Sequence, residues 1–397
     1  MNRIFLDVHA LQTVPPSNLN RDDTGAPKTA VYGGVPRARV SSQAWKRATR
    51  EYFNDEHLLD AGELGVRTKK VVDVLARRIL EKDESLGETA AQQLAAEVIQ
   101  ATGLKIVVPK RKADAAKDGE PEPLPEAKYL VFLSSRQIDG LARLALDGAA
   151  DIKAHLKDKN NKAKAKQIAD TLHSVDIALF GRMVADVTDI SVDAAVQVAH
   201  AISVHRSETE SDYFTAVDDH STDAEPGAGM IGTIDFNSAT LYRYAALSVH
   251  QLLANLGQGL RDDEPATTPV RRAVEAFLTG FVSSLPKGKI NTFGNHTLPD
   301  AVVVKLRTTR PISFVAAFED PVRGDLGGHV REASERLAEY IPDIERAYGD
   351  GDSTGTWVLR VGNGTRKLAD VGTETESLGD LIAAVGQAVA DRLEKPE

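Results

Sequence analysis

Cysteine is absent from the chain. That excludes disulfides, thiolate metal sites and a cysteine nucleophile, and it fits a reducing compartment. Aromatics make up only 5% of residues, so the core must be built mainly from Val, Leu, Ile and Ala. No stretch approaches the eighteen apolar residues that a membrane helix needs. The start, MNRIFLDVHALQTV, is no signal peptide, because Asp7 and His9 interrupt its apolar run. The expected location is the cytoplasm. The P-loop pattern is missing, as are internal repeats and heptads.

What is present suits a sizeable globular core. The chain has 397 residues, 42% hydrophobic and 27% charged. Such a length suggests two or three structural units. The formal charge is -10, which argues against a general nucleic-acid coat. Distribution matters more than the total, because screening confines electrostatics to about 10 Å at ordinary salt. Between Arg21 and Arg50 stand seven Lys or Arg and two Asp. The densest part is VPRARVSSQAWKRATR, Val35 to Arg50.

Ile4, Leu6, Val8 and Ala10 alternate, which reads as an edge or half-buried strand over 3–14. PPSNLNRDDTGAPK is a loop, and TAVYGG and RARV are short extended pieces. Ser41 or Ser42 caps a helix reaching about Phe53. Trp45, Ala48 and Tyr52 share one of its faces. Gln43, Lys46, Arg47 and Arg50 share another. Residues 57–179 are helical in texture, with stripes Val71/Val74/Leu75/Ile79, Ala91/Leu94/Ala95/Val98 and Ile138/Leu141/Ala142/Ala145. They are interrupted by a Pro-rich charged loop at 109–128 and a Lys-rich run at 151–166.

Strand alternation returns at AVQVAHAISVHR. SETESDYFTAVDDHSTDAEPGAG then carries seven acids and no Lys or Arg, and MIGTIDF returns. Together they predict a long hairpin with an acidic tip. A helix is expected from about Leu241 and another from Thr268–Pro269. AVVVKLR, ISFVAAF and WVLRV read as strands, and 328–347 and 377–393 as helices. The residues alone give an α/β core, split by a helical insertion and carrying a hairpin. The N-terminal strand must join the sheet of the second half.

The serine-capped helix is the first candidate site. Its opening turn presents unpaired N–H groups and partial positive charge, which suits phosphate. Ser41 and Ser42 flank that turn. Lys46, Arg47 and Arg50 could reach further phosphates, and Arg37 and Arg39 point to one side of an extended segment. Arg21 and Lys28 flank them. This pattern fits a polyphosphate backbone, or else a solvated basic face. LPKGKINTFGN offers Lys287 and Lys289 around Gly288, or an ordinary turn. Tyr213 and Phe214 near the hairpin tip could stack on bases, or fold into a local core. His200, His205, Asp218, Asp219 and His220 fit no zinc spacing, and His200 lies on the apolar alternation as a core histidine would. Asp22 and Asp23 could hold magnesium, but fit a turn better. No cofactor is expected.

SNLNRDDTGAPKTAVYGG followed by RARVSSQAWKRATR resembles the N-terminal signature of the CasC family, the Cascade backbone subunit of type I-E CRISPR systems. VDIALFGRM at 175–183, DAAVQVAHAISVHRSETESDYFTAVDD at 193–219 and SATLYRYAAL at 238–247 resemble further blocks, in order. The segments 109–128, 151–166 and the extreme C-terminus carry little of the likeness.

The resemblance implies an α+β fold with a ferredoxin-like or RRM-like palm (1–56 and 181–397), helical fingers (57–180) and a β-hairpin thumb (203–233). It implies a non-catalytic subunit that polymerises in further copies along a crRNA. Its other partners would be the target DNA strand, through guide pairing, and the large, small, capping and crRNA-processing Cascade subunits. No membrane is involved. Arg21, Lys28, Ser41, Gln43, Lys46 and Arg50 match positions that hold the guide backbone. Phe214 and Thr215 match the thumb segment that kinks the guide. Met183 and Ile231 match apolar residues beside the kinked nucleotide. The rival reading is a metal-dependent ribonuclease using Asp22, Asp23 or the Asp218–His220 cluster, since related backbone subunits of other CRISPR types cut RNA.

Overall fold

The computed structural model describes residues 3–109, 123–183, 190–216, 230–257, 264–265, 267–325, 327–348 and 355–394. In chain order the elements are β1 (Phe5–Ser17), β2 (Thr29–Tyr32), β3 (Val35–Val40), α1 (Ser42–Asp55), β4 (Gly65–Thr68), α2 (Val71–Lys82), α3 (Glu88–Ala101), β5 (Ile106–Val107), β6 (Glu126–Ala127) and β7 (Val131–Ser134). There follow α4 (Ser135–Asp147), α5 (Ile152–Lys157), α6 (Lys159–Asp170), α7 (Val175–Phe180), β8 (Val196–Val198), β9 (Ala201–Ser203), β10 (Glu210–Ala216), β11 (Met230–Ser248), α8 (Val249–Leu256) and α9 (Thr267–Ser283). The chain closes with α10 (Ile290–Phe293), β12 (Ala301–Arg307), α11 (His329–Tyr348), β13 (Gly355–Arg360), β14 (Thr373–Glu374) and α12 (Leu378–Glu394). The fold is mixed α+β.

Two compact units divide the chain. The first comprises Met1–Glu56, Val196–His250 and Val274–Glu397. It holds a ten-stranded sheet in the order β14-β13-β12-β1-β11-β9-β3-β2, with β8 and β10 also on β11. Its pairings are antiparallel except β13 with β14.

β1 is therefore not an edge strand. It runs between β12 and β11 and is buried almost throughout. Asp7 and His9 suggested a solvent face, but both find buried partners. Asp7 accepts from the Arg307 guanidinium at 2.7 Å, the Tyr244 hydroxyl at 2.9 Å and the Ile312 N–H at 2.9 Å. His9 Nδ1 lies 2.8 Å from the Tyr242 hydroxyl. Buried polar groups persist only when so paired.

Two further expectations are corrected in this unit. Residues 241–248 continue β11, and the helix begins only at Val249. There Tyr242 and Tyr244 pack onto the core around Phe314 while β1 and β9 occupy both edges of the strand. ISFVAAF is irregular chain ending in a 3₁₀ turn, Val315–Phe318, because its apolar residues plug the core rather than extend a ladder.

The second unit comprises His57–Ala195 and Gln251–Ala273. Its core joins the three expected stripes of α2, α3 and α4. It also takes up residues 181–195 and 251–273, beyond the 57–180 expected. Two small two-stranded sheets, β4–β7 and β5–β6, were not legible as strands. The Lys-rich run forms α5 and α6, each started by an aspartate that caps the Ala154 or Asn160 N–H.

Candidate nucleic-acid interface

α1 begins where its sequence signal placed it. Ser41 is the N-cap, and its hydroxyl accepts from the Ala44 N–H at 3.3 Å. The apolar face comprises Trp45, Ala48, Thr49 and Phe53, while Tyr52 is only half-buried. Trp45 stacks on the buried guanidinium of Arg243, 3.8 Å from its ring centre. Arg243 also donates to Gln12 Oε1 and to the Phe281 carbonyl, and Phe281 covers its other side at 4.6 Å. Burial pushes the Arg243 pKa down to about 9. A cation sandwiched between aromatics in a dry site holds firmly, so β11 and α9 fix the seat of α1.

The opposite face carries Gln43 and Arg47, both exposed, with Lys46 and Arg50 half-buried. Arg47 pairs with Glu51 one turn on, at 2.7 Å. Lys46 has no ion-pair or hydrogen-bond partner among the described residues, and burial lowers its pKa. The far end of the helix turns acidic with Glu51, Asp55 and Glu56. Asp55 takes the Lys287 ammonium at 2.8 Å, and the three carboxylates together raise the Lys287 pKa. Lys287 thus neutralises the acidic end of α1. Gly288 brings its backbone against the Asn18 and Leu19 carbonyls: a Cβ there would lie 2.2 Å from Leu19 O. The close approach is made to protein backbone. Lys289 sits next in a left-handed conformation at φ 45°.

The loop before β2 packs toward the start of α1. Asn20 Oδ1 accepts from the Ser41 N–H at 2.9 Å, and the Lys28 N–H donates to Asn20 O. Asn18 Nδ2 donates to Gly25 O and Asp235 O. Asp22 Oδ1 accepts from Thr24 N, Thr24 Oγ1 and Ala26 N, which lowers its pKa, the Thr24 hydroxyl contributing most. One carboxylate oxygen is thereby spent on the turn. Arg21, Asp22 and Asp23 are exposed, and Lys28 is half-buried.

Arg37 leaves the candidate set. Its guanidinium is fully buried and donates to four carbonyls: Tyr32, Ser203, Phe318 and Glu319. Strand alternation gives the side of a residue but not what covers that side, and here residues 318–319 cover it. Arg39 remains half-exposed, its Nε donating to Thr29 O at 3.0 Å.

Sequence reasoning placed His200 in the core. It is exposed rather than in the core, and its Nδ1 accepts the Ser42 N–H at 3.1 Å. Its pKa is lowered by desolvation first, then by the charges of Arg39 and Lys28. Those two cations therefore project their field onto the start of α1. The break between β8 and β9 takes His200 off the apolar face, and no local signal marks it. His205 is buried. Its Nε2 accepts from the Thr240 N–H at 3.1 Å and its Nδ1 bonds Arg206 O at 2.6 Å, so both nitrogens are used.

The hairpin expectation falls on β10 and β11. Tyr213, Phe214 and Thr215 lie within the paired strand, not on its tip. The register sets Tyr213 opposite Thr233, Phe214 opposite Gly232 and Thr215 opposite Ile231. Phe214 and Thr215 consequently face opposite sides of the ribbon. Tyr213 and Ile231 are 63% and 59% exposed. Asp218, Asp219 and His220 lie outside the described residues. Among the described residues no group of three or more metal-ligating side chains forms.

Met183 belongs to the second unit and is 87% exposed. Its neighbour Arg182 is the opposite: a buried strut donating to Ile190 O, Phe132 O, Gln137 Oε1 and Ala169 O. The strut holds the backbone beside Met183 while leaving its side chain in solvent.

Comparison with known proteins agrees with the family read from the sequence blocks. The family model described as CT1975-like protein, a Cas family, matches residues 6–384. A solved chain titled "CRISPR RNA-guided surveillance complex, pre-nicking" is 34% identical, with a TM-score of 0.81, over 97% of this chain and 100% of that one. Another, titled "CRISPR RNA-guided surveillance complex", is 31% identical, with a TM-score of 0.70, over 97% and 99%. No curated protein matches. Among the described residues no helix is long and apolar enough to cross a membrane. On the family match and both full-length likenesses, the chain belongs to the CT1975-like family of CRISPR-associated proteins, in line with its resemblance to the Cascade backbone subunit.

Proposed function

We propose that this protein is a guide-RNA-binding backbone subunit of a type I-E CRISPR surveillance complex. Its sheet unit acts as a ferredoxin-like palm that grips the guide's phosphates. Its β10–β11 ribbon acts as a thumb that splays bases at intervals. Copies of the chain line up along the crRNA, beside the other Cascade subunits, and the guide pairs with the target DNA strand. Sequence is read by that pairing, so the protein need only hold backbone.

The observation that carries this reading is the state of Lys46. A partly desolvated ammonium without an anionic partner among the described residues is an unfavourable arrangement unless an anion arrives. It lies on the helix face of Gln43, Arg47 and Arg50, next to the field of Arg39 and Lys28 at the helix start. Phosphates at successive positions would supply the missing anions. Arg21, Lys28, Arg39, Ser42, Gln43, Lys46, Arg47 and Arg50 form the proposed track. Ser41 serves by capping α1. Phe214, Thr215, Ile231 and Met183 are the proposed base-contacting residues. Lys287, bonded to Asp55 at the acidic end of α1, stands outside the track, and Lys289 is left out with it.

The subunit works by binding. Asp22, one of the carboxylates that a nuclease reading could use, has one oxygen engaged by three donors of its own turn. The test is the salt dependence of affinity for single-stranded RNA. Each lost phosphate contact lowers the logarithmic slope by about 0.7, so Lys46→Ala with Arg50→Ala lowers it by about 1.4. An unchanged slope removes α1 from the interface. Magnesium-dependent cleavage of the same RNA, lost in Asp22→Ala, would replace binding by catalysis.

A further inference from the structure

The β10–β11 ribbon has two unlike faces. Tyr213, Thr215, Ile231 and Thr233 share one, by the register of the two strands. Phe214 and Gly232 stand opposite each other on the other face. A Cβ added at Gly232 would lie 2.5 Å from Phe214 Cζ and 2.7 Å from its Cε1. The far end of the ring thus fills the space where a side chain at 232 would begin. The ring is laid across to the partner strand and half-buried there, with the rest of it open to solvent.

Glycine inside a strand weakens it, and its presence marks a bulge or a close approach. The pairing of Thr215–Ile231, Phe214–Gly232 and Tyr213–Thr233 is in step, so there is no bulge at this point. The close approach is that of the Phe214 ring. An aromatic lying over a cross-strand glycine covers exposed backbone and pins the register.

We propose that Gly232 is a positioning residue for Phe214. It lets the ring lie across the ribbon, held on one side by the partner strand and open on the other to stack a nucleobase of the bound RNA. The proposal rests on the base-splaying reading of Phe214 given above. A ring held before binding loses little further rotamer freedom when a base stacks on it. An alanine at 232 displaces the ring from the strand and leaves it to sample other rotamers. The other face, with Tyr213 and Ile231, is untouched by that change.

The experiment uses the full-length chain and a synthetic single-stranded RNA with 2-aminopurine at one position at a time. Wild type brightens a subset of positions where bases are unstacked. Gly232→Ala is expected to flatten this pattern as far as Phe214→Ala does. Its salt slope should stay at the wild-type value, because no phosphate contact changes. A second readout needs no RNA. In glycine-labelled protein the Gly232 α-protons should be shifted upfield by the ring, and Phe214→Leu should return them to ordinary positions.

A wild-type pattern in Gly232→Ala, with the pattern lost in Phe214→Ala, overturns the glycine's role and leaves base splaying intact. A wild-type pattern in Phe214→Ala overturns both. Gly232 α-protons at ordinary positions in the wild type overturn the packing on which the proposal stands.

Discussion

The sheet unit presents α1 and the β10–β11 ribbon, and the two are supported in opposite ways. Behind α1 lie Trp45, the sandwiched Arg243 and a loop pinned by Asn18 and Asn20. Beneath β3, Arg37 ties four carbonyls together. Among the described residues the ribbon at Tyr213–Thr215 is paired with its partner strand and with a glycine that admits a ring. Rigid support suits the fixed row of charges that the proposed phosphate track requires. A thin ribbon suits contact from both faces. The comparison also sorts the cations. A buried arginine here serves the fold, while the exposed or half-exposed ones are those that the proposed track uses.

The largest effect separates Arg37 from Arg39. Arg37→Ala strips charged donors from four carbonyls and should destabilise the protein by about 3–5 kcal/mol in denaturant unfolding. Arg39→Ala should change stability by less than about 1 kcal/mol, yet lower the RNA salt slope by about 0.7. Reversed results would show that the sorting by burial is mistaken.

A middle-sized effect concerns His205, where the ribbon's strands leave the sheet. Burial holds its pKa at about 4, against an ordinary value of 6.5. The folded-state pKa is the lower one. Between the two values the unfolded chain takes up a proton that the folded chain refuses. The full contribution is present above about pH 6.5 and is lost as pH falls toward 4, at about 1.4 kcal/mol per unit. Between pH 6.5 and 5 the wild type should lose about 2 kcal/mol more than His205→Gln. Parallel curves for the two proteins would remove His205 as the titrating group. His173, held at about 4, and His9, pushed well below its ordinary value, add their own losses to both curves.

The smallest effect is at Lys287. Its bond to Asp55 is solvent-exposed, and exposed pairs contribute little. Lys287→Ala should shift stability by less than about 0.5 kcal/mol and leave the salt slope unchanged. A slope lowered by about 0.7 would return Lys287 to the phosphate track.

Much of this is legible in the sequence. A serine before a 3.6-residue pattern placed the start of α1 correctly, because capping and periodicity are local. The stripes of α2, α3 and α4 followed for the same reason. The hairpin β10–β11 was visible as alternation around an acidic tip. Residues 241–248 were misread as helix because LYRYAALS suits either element, and only pairing with β1 decides. β1 was misread as edge-like because Asp7 and His9 looked solvated, their partners Arg307 and Tyr242 lying more than two hundred residues away.

By itself the sequence determined the family and the residue types gathered between Arg21 and Arg50. Local signals carry those, since caps, turns and periodicities act within a few residues. Only the tertiary structure decided which of the clustered cations are available. Arg37 and Arg39 stand two apart on one strand and read alike, but residues 318–319 fold over one and not the other. Burial is set by segments distant in sequence, and burial determines whether a guanidinium serves the fold or a ligand.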